Sequence, residues 1–207
     1  MKASSVILDA LKDMDNTGTL EAEKKMDLYA GKDIRMTADT HREENGQGHT
    51  TAISKRGAAS VTGKESSLTM TAGKDIHLQA ARISSAGDMT IAGKRQVELG
   101  TAVAEKDNRV TWDRSNDRRD STAMETGSTL TAGRNLTVEN GKEITDLEEH
   151  HRHKEKGLLS SKTTTTYDEV KRTDTTGSIV EGDTLTMTAG KDISLTGSAA
   201  ASTKETA

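Results

Sequence analysis

The chain has 207 residues, of which 31% are hydrophobic, 30% are charged and 1% are aromatic. This composition cannot supply the large apolar core of a compact globular domain of that length, so the apolar residues must serve a narrower structure. The formal net charge is -4 and both signs are finely mixed, which excludes the one-sided basic surface that a nucleic-acid groove needs.

The amino-terminal segment, residues 1–18, contains one short apolar run at 6–8 that Asp9 interrupts. Only Lys2 precedes the run, so the segment resembles neither a signal peptide nor a membrane helix. We therefore expect any export signal to lie outside this chain. The chain has no cysteine, which excludes disulfides and is compatible with a secreted bacterial protein.

One phrase recurs four times along the chain. Each copy alternates apolar and polar residues, as a β-strand with one buried face does, on both sides of a short turn. Such an internal repeat is typical of one supersecondary unit that is stacked on itself. The copies are residues 26–36 (MDLYAGKDIRM), 68–78 (LTMTAGKDIHL), 128–138 (STLTAGRNLTV) and 185–195 (LTMTAGKDISL).

The turn inside each phrase is Gly-Lys-Asp in three copies and Gly-Arg-Asn in the fourth. Glycine can adopt a positive φ, and the short polar side chain two places later can bond the turn backbone. These properties predict a structural role for the turn residues. They are Gly31, Asp33, Gly73, Asp75, Gly133, Asn135, Gly190 and Asp192.

The spacing of the turns predicts the fold. A degenerate copy at 89–99 (MTIAGKRQVEL) adds a turn glycine at position 93, and most intervals between turn glycines are then close to multiples of about twenty residues. Parallel strands stacked about 4.8 Å apart would give that period, whereas a meander of hairpins would show turns every 8–12 residues or so. We predict an all-β fold, a right-handed parallel β-helix or solenoid, and keep the meander as the alternative.

Three long polar stretches interrupt the phrases, at about residues 37–62, 100–125 and 139–176. They have few apolar residues and no helical stripe, so we expect long loops or extra polar strands on the flank of the solenoid. Residues 1–207 are then one repeat-built segment that carries these insertions. Because insertions in repeat proteins often carry binding, the three stretches are the first candidates for recognition.

No metal, cofactor or catalytic site is expected. Residues 148–153 (EEHHRH) include zinc and nickel ligand types, but adjacent residues of an extended chain cannot converge on one ion. Residues 113–120 (DRSNDRRD) lack the order of a calcium loop. No nucleophile elbow and no phosphate-binding glycine loop occurs, so the sequence predicts a protein that is not an enzyme.

The chain resembles the haemagglutinin-repeat region of large two-partner-secretion exoproteins, which include filamentous haemagglutinins and contact-dependent growth inhibition effectors. The resemblance rests on the repeated Leu-x-Met-x-Ala-Gly-Lys-Asp-Ile-x-Leu phrase, the link at 87–91 (GDMTI) and the spacer at 150–167 (HHRHKEKGLLSSKTTTTY). It extends over about residues 16–197.

The resemblance implies a segment of a secreted surface filament, either an adhesin or the stalk of a toxin-delivery protein, without catalysis of its own. It implies two partners, an outer-membrane two-partner-secretion transporter and a receptor on the target cell, and a location at the bacterial cell surface. The alternative is a translocation element in the outer membrane of a target bacterium. The scarcity of aromatic residues counts against that alternative, since membrane strands are flanked by aromatic girdles.

Overall fold

The computed structural model describes residues 3–111, 117–140, 143–146, 169–176, 178–189, 192–193 and 199–206. These residues form β-strands joined by turns and bends, without a helix, so the predicted all-β class is confirmed for this part of the chain. In chain order, the strands are β1 Ala3–Ala10, β2 Met14–Asn16, β3 Thr19–Ala30, β4 Ile34–Asn45, β5 Gly48–Arg56, β6 Ala58–Val61, β7 Ser67–Ala72, β8 Asp75–Gln79, β9 Arg82–Ser85, β10 Asp88–Gly93, β11 Gln96–Gly100, β12 Ala102–Thr111, β13 Asp117–Thr126, β14 Thr129–Ala132, β15 Asn135–Asn140, β16 Glu143–Asp146, β17 Glu169–Thr176, β18 Ile179–Ala189, β19 Asp192–Ile193 and β20 Ala199–Thr206.

Most of these strands pair in parallel and form three stacks. The first stack contains the start of β3, then β6, β9, β14, the start of β18 and the start of β20. The second stack contains β1, the end of β3, β7, β10, β15 and the end of β18. The third stack contains β2, β4, β8, β11, β16 and β19.

Strands β3 and β18 each belong to two stacks. The pairings of β3, β6, β9, β14, β18, β15, β10 and β7 therefore close into one ring. The parallel pairing agrees with a stacked repeat and not with a meander, whose neighbouring strands are antiparallel. The right-handed β-helix itself remains a prediction.

The core lies between the three stacks and explains the period-two pattern of the phrases. Alternate residues of β7 and β10 are buried, and the residues between them are half-buried on the outer face. Buried residues of successive strands also fall in register, so that equivalent apolar side chains lie above one another. One such column of the second stack is Met26, Leu68, Met89, Leu136 and Leu185.

The four phrases are not equivalent in the structure. In the phrases at 26–36 and 68–78, the turn connects the second stack to the third, as the strand pairs β3–β7 and β4–β8 show. In the phrase at 128–138, the turn connects the first stack to the second, because β14 and β15 both pair with β18. The phrase therefore specifies a strand, a turn and a second strand. It does not specify which two consecutive stacks the turn connects.

The polar stretches contribute a further sheet beside the third stack. Strand β4 continues from Ala38 and forms an antiparallel hairpin with β5, which pairs with β12. Strand β12 pairs with β13, and β13 pairs in parallel with β17. We call β17, β13, β12, β5 and residues 38–45 of β4 the lateral sheet. None of residues 38–45 and no residue of β5 is buried, so this part of the sheet is solvated on both faces.

Candidate functional site

Three of the predicted turn glycines lie where neighbouring strands approach one another closely. A Cβ atom on Gly31, Gly73 or Gly133 would overlap a backbone carbonyl oxygen of the adjacent turn, at Leu11, Gly31 and Ala86 respectively. None of the three glycines has a φ in the left-handed region. Glycine is therefore required here for close stacking and not for the positive φ that the sequence suggested. Gly190 lies outside the described residues.

The polar turn residues make contacts between neighbouring strands. Asp33 Oδ1 accepts a hydrogen bond from the backbone N–H of Asp75 over 3.4 Å, and Asp13 Oδ1 accepts one from the N–H of Asp33 over 3.3 Å. The side-chain amide of Asn135 donates to Asp88 Oδ1 over 3.1 Å. These bonds join successive turns, whereas the sequence predicted bonds within each turn. Asp192 is placed only through its backbone, in β19.

Asp75 is a buried acidic group in this region. Its carboxylate accepts hydrogen bonds from Nε of Arg95 over 2.7 Å and from Nη2 of the same guanidinium. The hydrogen bonds from Arg95 lower the pKa of Asp75 despite the opposing effect of burial, and the positive charges of Arg95, His77 and Lys74 add to the lowering. Asp75 is therefore ionised at neutral pH and fixes Arg95 at the turn.

We expect the substitution Asp75→Asn to lower the free energy of unfolding by about 1–3 kcal/mol at pH 7, because it removes a charge-assisted pair from a buried site. The folded pKa lies below the unfolded one, so this contribution is complete above about pH 4 and is lost as the pH falls through the folded pKa. Calorimetry should show that the difference in melting temperature between the two proteins narrows below pH 4.

The matched control for this prediction is Asp88→Asn, since Asp88 is 42% exposed and pairs with Arg134 over 2.7 Å. Exposed pairs contribute only about 0–1 kcal/mol, so this control should cost less at pH 7 than Asp75→Asn. A difference between wild type and Asp75→Asn that stays constant from pH 7 to acid would contradict the prediction.

The outer face of β2, β4, β8 and β11 in the third stack carries ion pairs. Arg35 lies 3.5 Å from Asp15 and 2.6 Å from Asp33, and His77 Nδ1 lies 2.7 Å from Glu98. Among the described residues, no group of three or more histidine, aspartate or glutamate side chains could hold a metal ion. The described side chains of this face thus form a network of paired charges.

The lateral sheet contains a cleft of about 200 Å³ near the tip of the β4–β5 hairpin. The close approach of the hairpin to β12 depends on Gly48, because a Cβ there would overlap the carbonyl oxygen of Asp107. In the strand registers Glu44 lies opposite His49 and His49 lies opposite Asp107, and His49 Nε2 lies 3.6 Å from Glu105. The cleft is lined by Glu43, Glu44, Asn45, Gly48, His49, Thr50, Lys106, Asp107 and Asn108.

This cleft was only partly foreseen from the sequence. Its residues lie in the first two polar stretches, at 37–62 and 100–125, which were expected to carry recognition. No local signal places residue 48 beside residue 107, since the two strands are far apart in sequence. The histidine-rich run at 148–153 and Trp112 lie outside the described residues, and so do positions 113–116 of the acidic and arginine-rich run.

Comparison with known proteins gives one informative likeness. No protein family matches the chain, and no solved structure matches it. The chain is 25% identical over 232 residues to the tRNA nuclease CdiA of Escherichia coli (strain STEC_O31), an alignment that covers 94% of this chain and 7% of that protein. The chain thus spans a small part of this relative's length. The likeness is compatible with a role related to contact-dependent inhibition, to which CdiA belongs.

The expectation that the protein is not an enzyme is wrong on this comparison, because the relative is named as a tRNA nuclease. The expectation rested on the lack of a catalytic constellation in these 207 residues. The alignment covers 7% of the relative, so the lack of a catalytic constellation in this chain carries no information about the rest of that protein.

In the described residues, no helix is long and apolar enough to cross a bilayer.

Proposed function

We propose that the chain is a structural and interaction segment of a large secreted surface protein related to contact-dependent inhibition proteins. The observation that carries the proposal is the likeness to CdiA, which extends over 94% of this chain while covering 7% of the relative. Over the described part of that length, the chain forms stacked strands and a lateral sheet. In this proposal the segment contributes reach and attachment to a protein whose relative is named as a tRNA nuclease.

We further infer that residues 1–207 form one right-handed parallel β-helix with lateral insertions. The chain visits the stacks in a constant order, as in β6, β7, β8 and then β9, β10, β11. Parallel strands of one sheet are connected by right-handed crossovers in about 98% of cases, which supports the right hand. A solenoid of this kind extends in proportion to its repeats and suits a filament that projects from a cell.

The lateral sheet is the proposed attachment site of this segment. Residues 38–45 and β5 contribute no buried side chain, so their polar groups are not committed to the core. The sheet also exposes two large apolar side chains, Val103 and Met124, and contains the cleft near the hairpin tip. By the resemblance stated above, its partner is a receptor on the target cell, and the transporter of the two-partner system is the partner in secretion.

The translocation alternative receives less support. Outward positions of the second stack in register are Asp27, Thr69, Thr90 and Thr137, which are polar. Strands that face lipid need apolar side chains there, and a charged group on the lipid face destabilises such a strand. The outer face of the second stack is therefore suited to water.

A shortened hairpin tests the attachment site. Removing residues 43–50 and joining Arg42 to Thr51 through an Asn-Gly turn preserves the hairpin, because these two residues pair directly. The variant should keep the β-strand circular dichroism of the wild type, because the three stacks are intact. It loses three of the four residue pairs between β5 and β12, so its thermal transition should be less cooperative. Its binding to target bacteria, measured by flow cytometry of the labelled chain, should fall at least about tenfold, a loss of roughly 1.4 kcal/mol of affinity.

The matched control for the hairpin is Thr90→Lys, which places a charge on the outer face of the second stack. This variant should bind target cells as the wild type does. If the shortened hairpin binds normally and Thr90→Lys does not bind, the attachment site lies on the second stack and not on the lateral sheet. Binding that survives in both variants would contradict attachment through either surface.

A further inference from the structure

The tip of the β4–β5 hairpin carries an asparagine that is followed by a glycine. Strand β4 ends at Asn45 and β5 begins at Gly48, so Gly46 and Gln47 form a two-residue turn. Both residues of the Asn-Gly pair are exposed, and a Cβ atom on Gly46 would meet no atom within 4 Å. The backbone around Gly46 is therefore open to water, and no side chain of its own shields its nitrogen. The other Asn-Gly pair begins at Asn140, and its glycine lies outside the described residues.

The side chain of Asn45 is held against the backbone that follows it. Its Oδ1 accepts hydrogen bonds from the N–H of Gln47 over 2.9 Å and from the N–H of Gly48 over 3.0 Å. This Asx turn places the side-chain carbonyl alongside the peptide that follows Asn45. Two N–H donors on one carbonyl oxygen also stabilise negative charge that develops on it, as in an oxyanion hole. The tip thus combines a positioned electrophile with an unshielded backbone nitrogen.

We propose that Asn45 is a site of spontaneous deamidation in the folded chain. The Gly46 nitrogen gives its proton to hydroxide and attacks Cγ of Asn45, so that a C–N bond forms and Oδ1 takes the negative charge. The bond from Cγ to Nδ2 then breaks, and Nδ2 takes a proton from water and leaves as ammonia. Water adds to one of the carbonyl groups of the cyclic imide and opens it to aspartate or isoaspartate. In total one water enters and one ammonia leaves, without an oxidant or a reductant.

A second asparagine in the same kind of turn shows what is particular to Asn45. Asn16 Oδ1 accepts a hydrogen bond from the N–H of Gly18 over 3.1 Å, which is again an Asx turn. The residue after Asn16 is Thr17, whose branched Cβ shields its backbone nitrogen. The leaving group is also held, since Nδ2 of Asn16 donates to the carbonyl oxygen of Gly18 over 2.9 Å. Asn16 should therefore convert more slowly than Asn45.

Conversion changes the charge of the cleft in the lateral sheet. Aspartate at position 45 adds a carboxylate beside Glu43 and Glu44, which already line the cleft. It can keep both hydrogen bonds, because a carboxylate oxygen accepts from the same N–H groups. Isoaspartate instead inserts a methylene group into the backbone and displaces the turn. The inference concerns the covalent chemistry of the chain and not its attachment to a target, so it can fail independently of the proposed function.

Peptide mapping of the full chain, aged in its folded state at mildly alkaline pH, tests the proposal. Trypsin cleavage gives the peptide 43–55, in which Asn45 is the one asparagine, and the peptide 13–24, which contains Asn16. Mass spectrometry should show conversion at Asn45 at least about tenfold faster than at Asn16. An unaged sample digested in parallel corrects for conversion during digestion, and labelling by an isoaspartyl methyltransferase identifies the isoaspartate product.

The matched variant is Gly46→Ala, whose new Cβ meets no atom within 4 Å and so leaves the fold intact. Its methyl group shields the attacking nitrogen, and conversion at Asn45 should slow at least about tenfold. Circular dichroism confirms that both proteins stay folded during ageing. Equal rates in the wild type and Gly46→Ala, equal rates at Asn45 and Asn16, or conversion of Asn45 only after unfolding in urea would each overturn the proposal.

Discussion

Replacing Gly73 by alanine is expected to lower the free energy of unfolding by about 3 kcal/mol or more, the range of severe steric substitutions. The new Cβ would overlap the carbonyl oxygen of Gly31 and lie 2.8 Å from its carbonyl carbon. Neither backbone can move aside freely, because Gly73 N–H donates to Ala30 over 2.9 Å and Lys74 N–H donates to Lys32 over 2.8 Å. For a chain of this length the melting temperature should fall by about 6–12 °C.

Gly46, at the tip of the β4–β5 hairpin, provides the matched control for Gly73. A Cβ at Gly46 meets no atom within 4 Å, and its φ lies outside the left-handed region. Gly46→Ala should therefore change the free energy of unfolding by no more than about 0.5 kcal/mol. Urea denaturation of both variants measures the difference, and equal losses would show that close stacking does not determine the glycine at position 73.

Truncation of the core is expected to have a similar effect through a different cause. Ile91 is fully buried and lies in register between Met70 and Val138 of the second stack. The variant Ile91→Ala removes three carbons from a closely packed column and leaves a cavity, which costs about 2–5 kcal/mol at such sites. Urea denaturation should show a lower transition midpoint with an unchanged slope.

The neighbouring Thr90 is half-buried on the outer face of the same strand. Thr90→Ala should cost about 0.5 kcal/mol or less, because it removes no core contact. If Thr90→Ala destabilises the chain as much as Ile91→Ala, the assignment of inner and outer faces in the second stack is wrong.

The strand class was predictable from the sequence because its signal is local. Alternation such as Leu68, Met70 and Ala72 specifies a strand with one buried face wherever that strand pairs. The partner of each strand is set by long-range contacts, so the phrase did not reveal which two stacks it connects. Only the register places residues 128–138 one stack earlier than residues 26–36.

The same limit applies to the glycines and to the cleft. Gly31 and Gly73 were predicted at turns for a local reason, a positive φ, while the structure shows contact between two turns that are separated by a polar stretch. The cleft depends on β5 and β12 lying side by side, and polar strands carry no hydrophobic pattern that specifies such a pairing. The alternation of apolar and polar residues therefore does not predict contacts between distant polar segments.

The lateral sheet has a consequence for cooperativity. In a repeat array each level contacts only its neighbours, so such arrays can unfold from their ends one level at a time. Here β5 leaves the stacks at the level of β4 and pairs with β12, which leaves them at the level of β11, while the level of β8 between them has no insertion. A level here is the set of strands at one height of the stacks. The lateral sheet therefore links levels that do not touch within the stacks, and unfolding of one level also breaks contacts made by another. These levels should unfold in a single transition, which gives a filament segment resistance to stepwise peeling under load.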